Sequence, residues 1–182
     1  MKPPLSTRQR LLEFDNVCSR RLWVAEKPGL LRSCAVLFAH SGDSWFWGLG
    51  LALVWLFGVH AWKLRAVWML VGIFVTAVFV FVIKFSVRRS RPVGNWGNIY
   101  RRTDPHSFPS GHAARAAMLA VSSLLLGPTW FSAILIIWAP LVMLARVAMG
   151  VHYLSDVVAG ALLGVGIGGI FLWITPQLTF LS

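Results

Sequence analysis

His152 and Asp156 stand four residues apart, a spacing that places both on one face of a helix. A carboxylate bonded to one imidazole nitrogen fixes the tautomer and leaves the other nitrogen basic and aimed, as a nucleophile or base requires. Arg146 lies six residues before His152, and Gly150 interrupts the chain between them, so the guanidinium can reach the same spot. A second cluster contains Lys84, Arg88, Arg89 and Arg91-Pro92. Lys84 and Arg91 are seven apart, close to two helical turns if the helix continues, in which case they share a face before Pro92 ends it. An ammonium point charge beside a forked guanidinium suits phosphate oxygens. Basic residues at the end of an apolar helix also snorkel or hold lipid headgroups. The third cluster, Pro109-Ser110-Gly111-His112, reads as a loop entering a helix with Ser110 as N-cap. Free backbone N–H groups at such a start bind anions, while plain capping is the simpler reading of the tetrapeptide alone.

Together, three cations, a helix N-terminus, two histidines and one carboxylate ask for one ligand and form a phosphoryl-transfer site. The cations would neutralise charge building on the equatorial oxygens. No metal and no other cofactor is required, and Asp104 and Asp156 are the only acidic residues well placed for a Mg²⁺. His106 could touch a headgroup. His40-Ser41-Gly42-Asp43-Ser44 looks like a helix cap on the same side, so Asp43 could line the site entrance. Arg115, one turn after His112, is expected to brace a neighbour or a lipid phosphate.

Lys84-x6-Arg91-Pro92, Pro109-Ser110-Gly111-His112 and Arg146-x5-His152-x3-Asp156 resemble, in order and spacing, the tripartite signature of the type 2 phosphatidic acid phosphatase superfamily. That superfamily includes membrane lipid phosphatases, undecaprenyl diphosphate phosphatases and soluble vanadium haloperoxidases. The resemblance implies a metal-independent phosphatase that cleaves a lipid phosphate monoester or diphosphate through a phosphohistidine. By the same resemblance, His152 attacks phosphorus with Asp156 orienting it, and His112 protonates the leaving oxygen and then helps activate water. Lys84, Arg91, Ser110, Gly111 and Arg146 would hold the phosphate. The third motif usually opens with Ser before the Arg. Here Ala145 stands in that place, which loses at most one hydrogen bond. His152 must be neutral to attack while His112 must be protonated to donate, so a bell-shaped rate profile is expected.

These clusters need a scaffold, and the composition says which kind. Of 182 residues, 57% are hydrophobic and 13% charged, with a mean hydropathy of +0.70. An ordinary soluble domain is about 45–50% apolar and about a quarter charged. This chain carries more apolar surface than a core of its size can hide. Disorder, collagen, coiled coil and a disulfide-stapled module are excluded on the same grounds, and Cys18 and Cys34 have no metal-ligand spacing. Seventeen Lys and Arg against six Asp and Glu suggest a polyanionic partner. The bases cluster between the apolar runs, as at membrane margins, so the expected partners are the bilayer and a phosphorylated lipid, with no nucleic acid. Nothing in the sequence speaks to oligomeric state.

Residues 1–33 read as a basic amphipathic segment lying in the headgroup zone, and residues 34–182 as the transmembrane phosphatase domain, with motifs at 84–92, 109–112 and 146–156. Apolar runs at Trp45–Trp62, Ala66–Ile83, Ala113–Leu126, Trp130–Ala145 and Val157–Thr175 predict spans; 18 residues reach about 27 Å against about 30 Å of hydrocarbon. Gly160, Gly164, Gly166, Gly168 and Gly169 suit close helix approach in lipid. A tight loop at Lys63–Arg65 and a turn at 127–129 would lie on one side, leaving every polar cluster on the other. The expected fold is an all-α integral membrane bundle of five to six helices, about five of them transmembrane, with an N-terminal amphipathic interfacial helix. A lipid-phosphate binding protein or transporter is the rival, but it would carry ionisable groups near the bilayer midplane. Headgroup choice would lie in 93–108 and the N-terminal segment. Small size and the lack of a eukaryotic targeting signal favour a bacterial cytoplasmic membrane and a polyprenyl diphosphate or glycerophospholipid phosphate as substrate.

Overall fold

A computed structural model describes residues 6–94 and 104–174. Among them run seven α-helices: α1 (Thr7–Arg21), α2 (Leu30–Ser41), α3 (Ser44–Phe57), α4 (His60–Val87), α5 (Gly111–Leu126), α6 (Thr129–Ala148) and α7 (Leu154–Ile174). The one β-type pairing among the described residues is an isolated bridge between Ser90 and His106. The described residues are therefore all-α, as expected, with seven helices where about five to six were anticipated. By length and composition α4, α6 and α7 can cross a membrane. The apolar helices α2, α3 and α5 have 12, 14 and 16 residues, about 18 to 24 Å at 1.5 Å per residue. Among the described residues, three helices have full spanning length by length and composition.

The run Trp45–Trp62 is where the sequence expectation departs most from the structure. It breaks at Gly58, whose backbone amide bonds the Val54 carbonyl and turns the chain out of α3. A Cβ at Gly58 would lie 2.4 Å from that carbonyl oxygen, so glycine is required at the break. His60 to Trp62 then open α4, and Lys63 and Arg65 fall within its first turns instead of in a loop. The Arg65 guanidinium lies over the Trp62 ring, 5.1 Å from its centroid. Apolar periodicity could not reveal this because the residues on both sides of the break are equally hydrophobic. The described part of the predicted 1–33 segment holds α1, a connecting turn and the start of α2. At the far end, Thr175 lies outside the described residues.

Helix α5 is the buried centre. Ala113, Ala114, Ala116, Ala117, Met118 and Leu119 are all buried, and α7 packs along it more extensively than any other helix. Backbones approach closely because α7 presents glycine every fourth residue. A Cβ at Gly160 would come 2.4 Å from the Ser110 carbonyl oxygen, at Gly164 2.0 Å from that of Ala114, and at Gly168 2.8 Å from Val121. Gly166 and Gly169, grouped with these in the sequence, face open space. The result is a tight α5–α7 seam that brings residues 110–112 beside 152–156. The outward surface is apolar: Phe57, Phe74, Phe81, Ile137, Leu162 and Trp173 are exposed, as a lipid-facing surface requires.

Candidate active site

The three motifs meet at one end of this seam. Ser110, fully buried, accepts a hydrogen bond from the Ala113 amide and so caps α5. Its own amide donates to the Asp156 carbonyl at 2.9 Å. Gly111 and His112 follow on the first turn. Lys84 is brought in by the last turn of α4 and Arg91 by the segment after it, Arg146 by the end of α6, and His152 by the connection into α7. Lys84, Arg91, Gly111, His112, Arg146 and His152 line a cavity of about 410 Å³. The cavity continues along α4 past Phe81, Val80, Ala77 and Ile73, so its polar end opens into an apolar arm. A larger groove of about 860 Å³ between α3 and α6 is lined by aromatic and aliphatic residues and Ser41. It is lined by no Asp, Glu, His, Lys or Arg.

His152 is buried beneath the cations. Arg91 Nη1 lies 3.2 Å from His152 Nε2, and since a guanidinium only donates, Nε2 is the acceptor and the neutral ring carries its proton on Nδ1. Nδ1 lies 3.6 Å from Asp156 Oδ2, beyond hydrogen-bond distance. Nδ1 has no hydrogen-bond partner among the described residues. The expected histidine–carboxylate bond is thus aligned but not closed. Burial pushes His152 well below the ordinary histidine range, and the charges of Arg91, Arg146 and Lys84 push the same way. Asp156 is held from elsewhere: Oδ1 accepts from Arg89 Nη1 at 2.8 Å and Oδ2 from the Tyr153 amide at 2.9 Å.

Asp104 pairs with both Lys84 and Arg91. Its Oδ2 pairs with Lys84 Nζ and accepts from Arg91 Nη2 at 2.8 Å, while its carbonyl accepts from Arg91 Nε at 2.7 Å. Burial alone would raise the Asp104 carboxyl, but the Lys84 hydrogen bond and the charges of Lys84 and Arg91 hold it below its usual range. The sequence assigns Asp104 no role in holding the phosphate. Among the described residues no group of three or more His, Cys, Asp and Glu is arranged to hold a metal ion.

His112 Nε2 lies 2.7 Å from Asp43 Oδ1, a contact that only the fold reveals. Asp43 is the N-cap residue of α3, yet its side chain makes no capping bond; Oδ2 takes His40 Nδ1 at 3.1 Å and Trp45 Nε1 at 3.3 Å instead. Burial would raise this carboxyl, but hydrogen bonds from His112 and His40 hold it well below the usual carboxylate range. The preceding turn must come close for this, and a Cβ at Gly42 would lie 3.1 Å from the His112 ring. Arg115 secures the same turn by donating to the Gly42 carbonyl, the bracing role expected of it. His106 does not line the cavity; it packs edge-on against Phe85, 5.4 Å between centroids. Ser110 also sits behind the cavity wall with its hydroxyl committed to capping. Most of the 93–108 segment, assigned headgroup selection, lies outside the described residues.

Residues 65–180 match the PAP2 superfamily model. The chain is 32% identical over 150 residues to the decaprenylphosphoryl-5-phosphoribose phosphatase of Mycobacterium tuberculosis, covering 81% of each. It is 38% identical over 104 residues to the undecaprenyl-diphosphatase of Sulfolobus acidocaldarius, 52% of this chain and 50% of that one. Its fold is similar to the crystal structure of a transmembrane PAP2-type phosphatidylglycerolphosphate phosphatase from Bacillus subtilis, with a TM-score of 0.75 at 22% identity over 95% of this chain and 90% of the other.

Proposed function

The chain belongs to the PAP2 superfamily and is a phosphatase, and from that premise we propose that it hydrolyses a membrane lipid phosphate or diphosphate through a phosphohistidine on His152. The observation that carries this reading is the shape of the cavity: Lys84, Arg91, Arg146, His112 and His152 converge at one end, and the other end runs as an apolar arm down α4. A lipid can keep its chain beside α4 while its phosphate enters the cationic end.

An incoming phosphate displaces Asp104 from Lys84 and Arg91. It also takes the Arg91 N–H that now points at His152, and so frees the Nε2 lone pair. Nε2 forms the bond to phosphorus as the bond from phosphorus to the leaving oxygen breaks, and His112 gives that oxygen its proton. The imidazole becomes cationic during attack, and the Nδ1–H closes on Asp156. Water then attacks the phosphohistidine, giving a proton back to His112, and inorganic phosphate leaves with His152 restored. Lys84, Arg91, Arg146 and the Gly111 amide neutralise the oxygens in both steps. The substrate proposed is a polyprenyl diphosphate or a glycerophospholipid phosphate. The names of the relatives and the aromatic and aliphatic lining of the arm support that choice. The same reading makes the chain a multi-pass protein of a bacterial cytoplasmic membrane, with α1 at the interface.

The test is phosphate release by detergent-solubilised protein, with EDTA present, on a panel of polyprenyl and glycerophospholipid phosphates. Turnover that persists in EDTA and is lost in His152→Ala is the expected result. Turnover that survives in His152→Ala would overturn the phosphohistidine.

A further inference from the structure

The start of α7, which carries Asp156, is capped by residues far away in the chain. The first amides of a helix have no partner within it. Here the Leu154 amide donates to Ser19 Oγ at 2.9 Å, across 135 positions, and the Ser155 amide to Asp15 Oδ1 at 3.1 Å, across 140. Both acceptors belong to α1. The other oxygen of Asp15 accepts from the Ser155 hydroxyl and from Arg89 Nη2, the latter at 2.7 Å. The opposite arm of the same guanidinium reaches Asp156 Oδ1 at 2.8 Å and Ser155 Oγ at 2.6 Å. Its plane is supported by the Tyr153 ring, 4.0 Å from centroid to Cζ.

We propose that Asp15 and Arg89 are positioning residues for the His152–Asp156 pair, and that α1 is thereby a working part of the active site. This rests on the reading of His152 as nucleophile. Arg89 bridges two carboxylates with the two ends of one rigid fork. Holding Oδ1 of Asp156 on Arg89 leaves Oδ2 as the oxygen that faces His152 Nδ1, and the seat of α1 sets how far that oxygen stands from the ring. Burial would raise the Asp15 carboxyl, but its bonds from Ser155 and Arg89 hold it below its usual range, so the bridge persists at neutral pH. The basic and apolar composition of α1 suits a headgroup layer, yet the groups it turns inward are polar and aimed at the nucleophile's helix.

The test is steady-state and single-turnover kinetics of the full-length protein. Asp15→Asn is expected to lower kcat and the rate of phosphohistidine formation by about 10- to 100-fold, the scale of a small misplacement of a reacting group, with KM within about twofold. Arg89→Lys keeps the charge but cannot bridge, so it is expected to fail as Asp15→Asn does, and the double variant no worse than the poorer single one. Ser155→Ala, which leaves both ion pairs intact and guards against a variant that does not fold, is expected to lose a few-fold in kcat. Full activity in Arg89→Lys, or a rise in KM at unchanged kcat, would overturn the proposal. If His152→Ala remains active, it is the underlying reading that fails, whatever Asp15 does.

Discussion

Asp104 offers the sharpest quantitative test of the phosphate site. Its carboxylate lies on both Lys84 and Arg91, two buried cations, while its own side chain is 41% exposed. In the proposed reaction a substrate phosphate displaces it to reach either group. A hydrogen bond to a charged group contributes about 1.5–3 kcal/mol, and exposed ion pairs are worth about 0–1 kcal/mol. With one partner buried and the other partly solvated, about 1–1.5 kcal/mol for the combined contact is a fair figure, close to tenfold in an equilibrium constant. Asp104→Asn keeps the volume and removes the competing charge. Inorganic phosphate should therefore inhibit this variant about tenfold more tightly, measured as Ki against lipid turnover. In the absence of phosphate the variant should melt lower, because two buried cations lose their counter-charge, and phosphate should restore the difference. The Asp104 carboxyl is held below its usual range, so its pairing contributes stability above the unfolded value near 3.9 and loses it as pH falls through the folded value. An unchanged or weaker Ki in Asp104→Asn would refute the displacement argument.

Because His152 is held well below the ordinary histidine range, the acid limb of kcat/KM that its protonation causes should lie below about 6.5; an acid limb at or above about 6.5 would contradict the proposed buried, cation-flanked nucleophile. Asp43→Ala should lower kcat about tenfold with little change in KM, since its bond is to His112; a raised KM at constant kcat would return Asp43 to the headgroup role suggested by sequence. Gly164→Ala should lower the melting temperature in detergent, with overpacking costing about 1–3 kcal/mol, whereas Gly166→Ala, into open space, should not; equal effects would refute the α5–α7 seam.

The chemistry was legible in the sequence because it is written locally. Lys84 with Arg91, a Ser-Gly-His helix start, and His152 with Asp156 each fit a short stretch of backbone. The shared helix faces expected for the two pairs do not form, because α4 ends at Val87 with Arg88 in the left-handed region and α7 begins at Leu154, after His152. Helix placement was legible where a polar or turn-forming residue marks the end of an apolar run, as at Gly127-Pro128. It failed at Gly58, where the break lies inside continuous hydrophobicity and only the close approach to the Val54 carbonyl demands glycine. The partners of the catalytic groups belong to the tertiary structure alone. Asp43 reaches His112 because the α2–α3 turn folds over α5, Asp104 reaches Lys84 and Arg91 from the following loop, and Asp15 reaches Arg89 because α1 lies against α7. A carboxylate in a basic stretch looks the same in sequence whether it faces water or a buried guanidinium. The choice is made by which elements pack together, here the α2–α3 turn over α5 and α1 against α7.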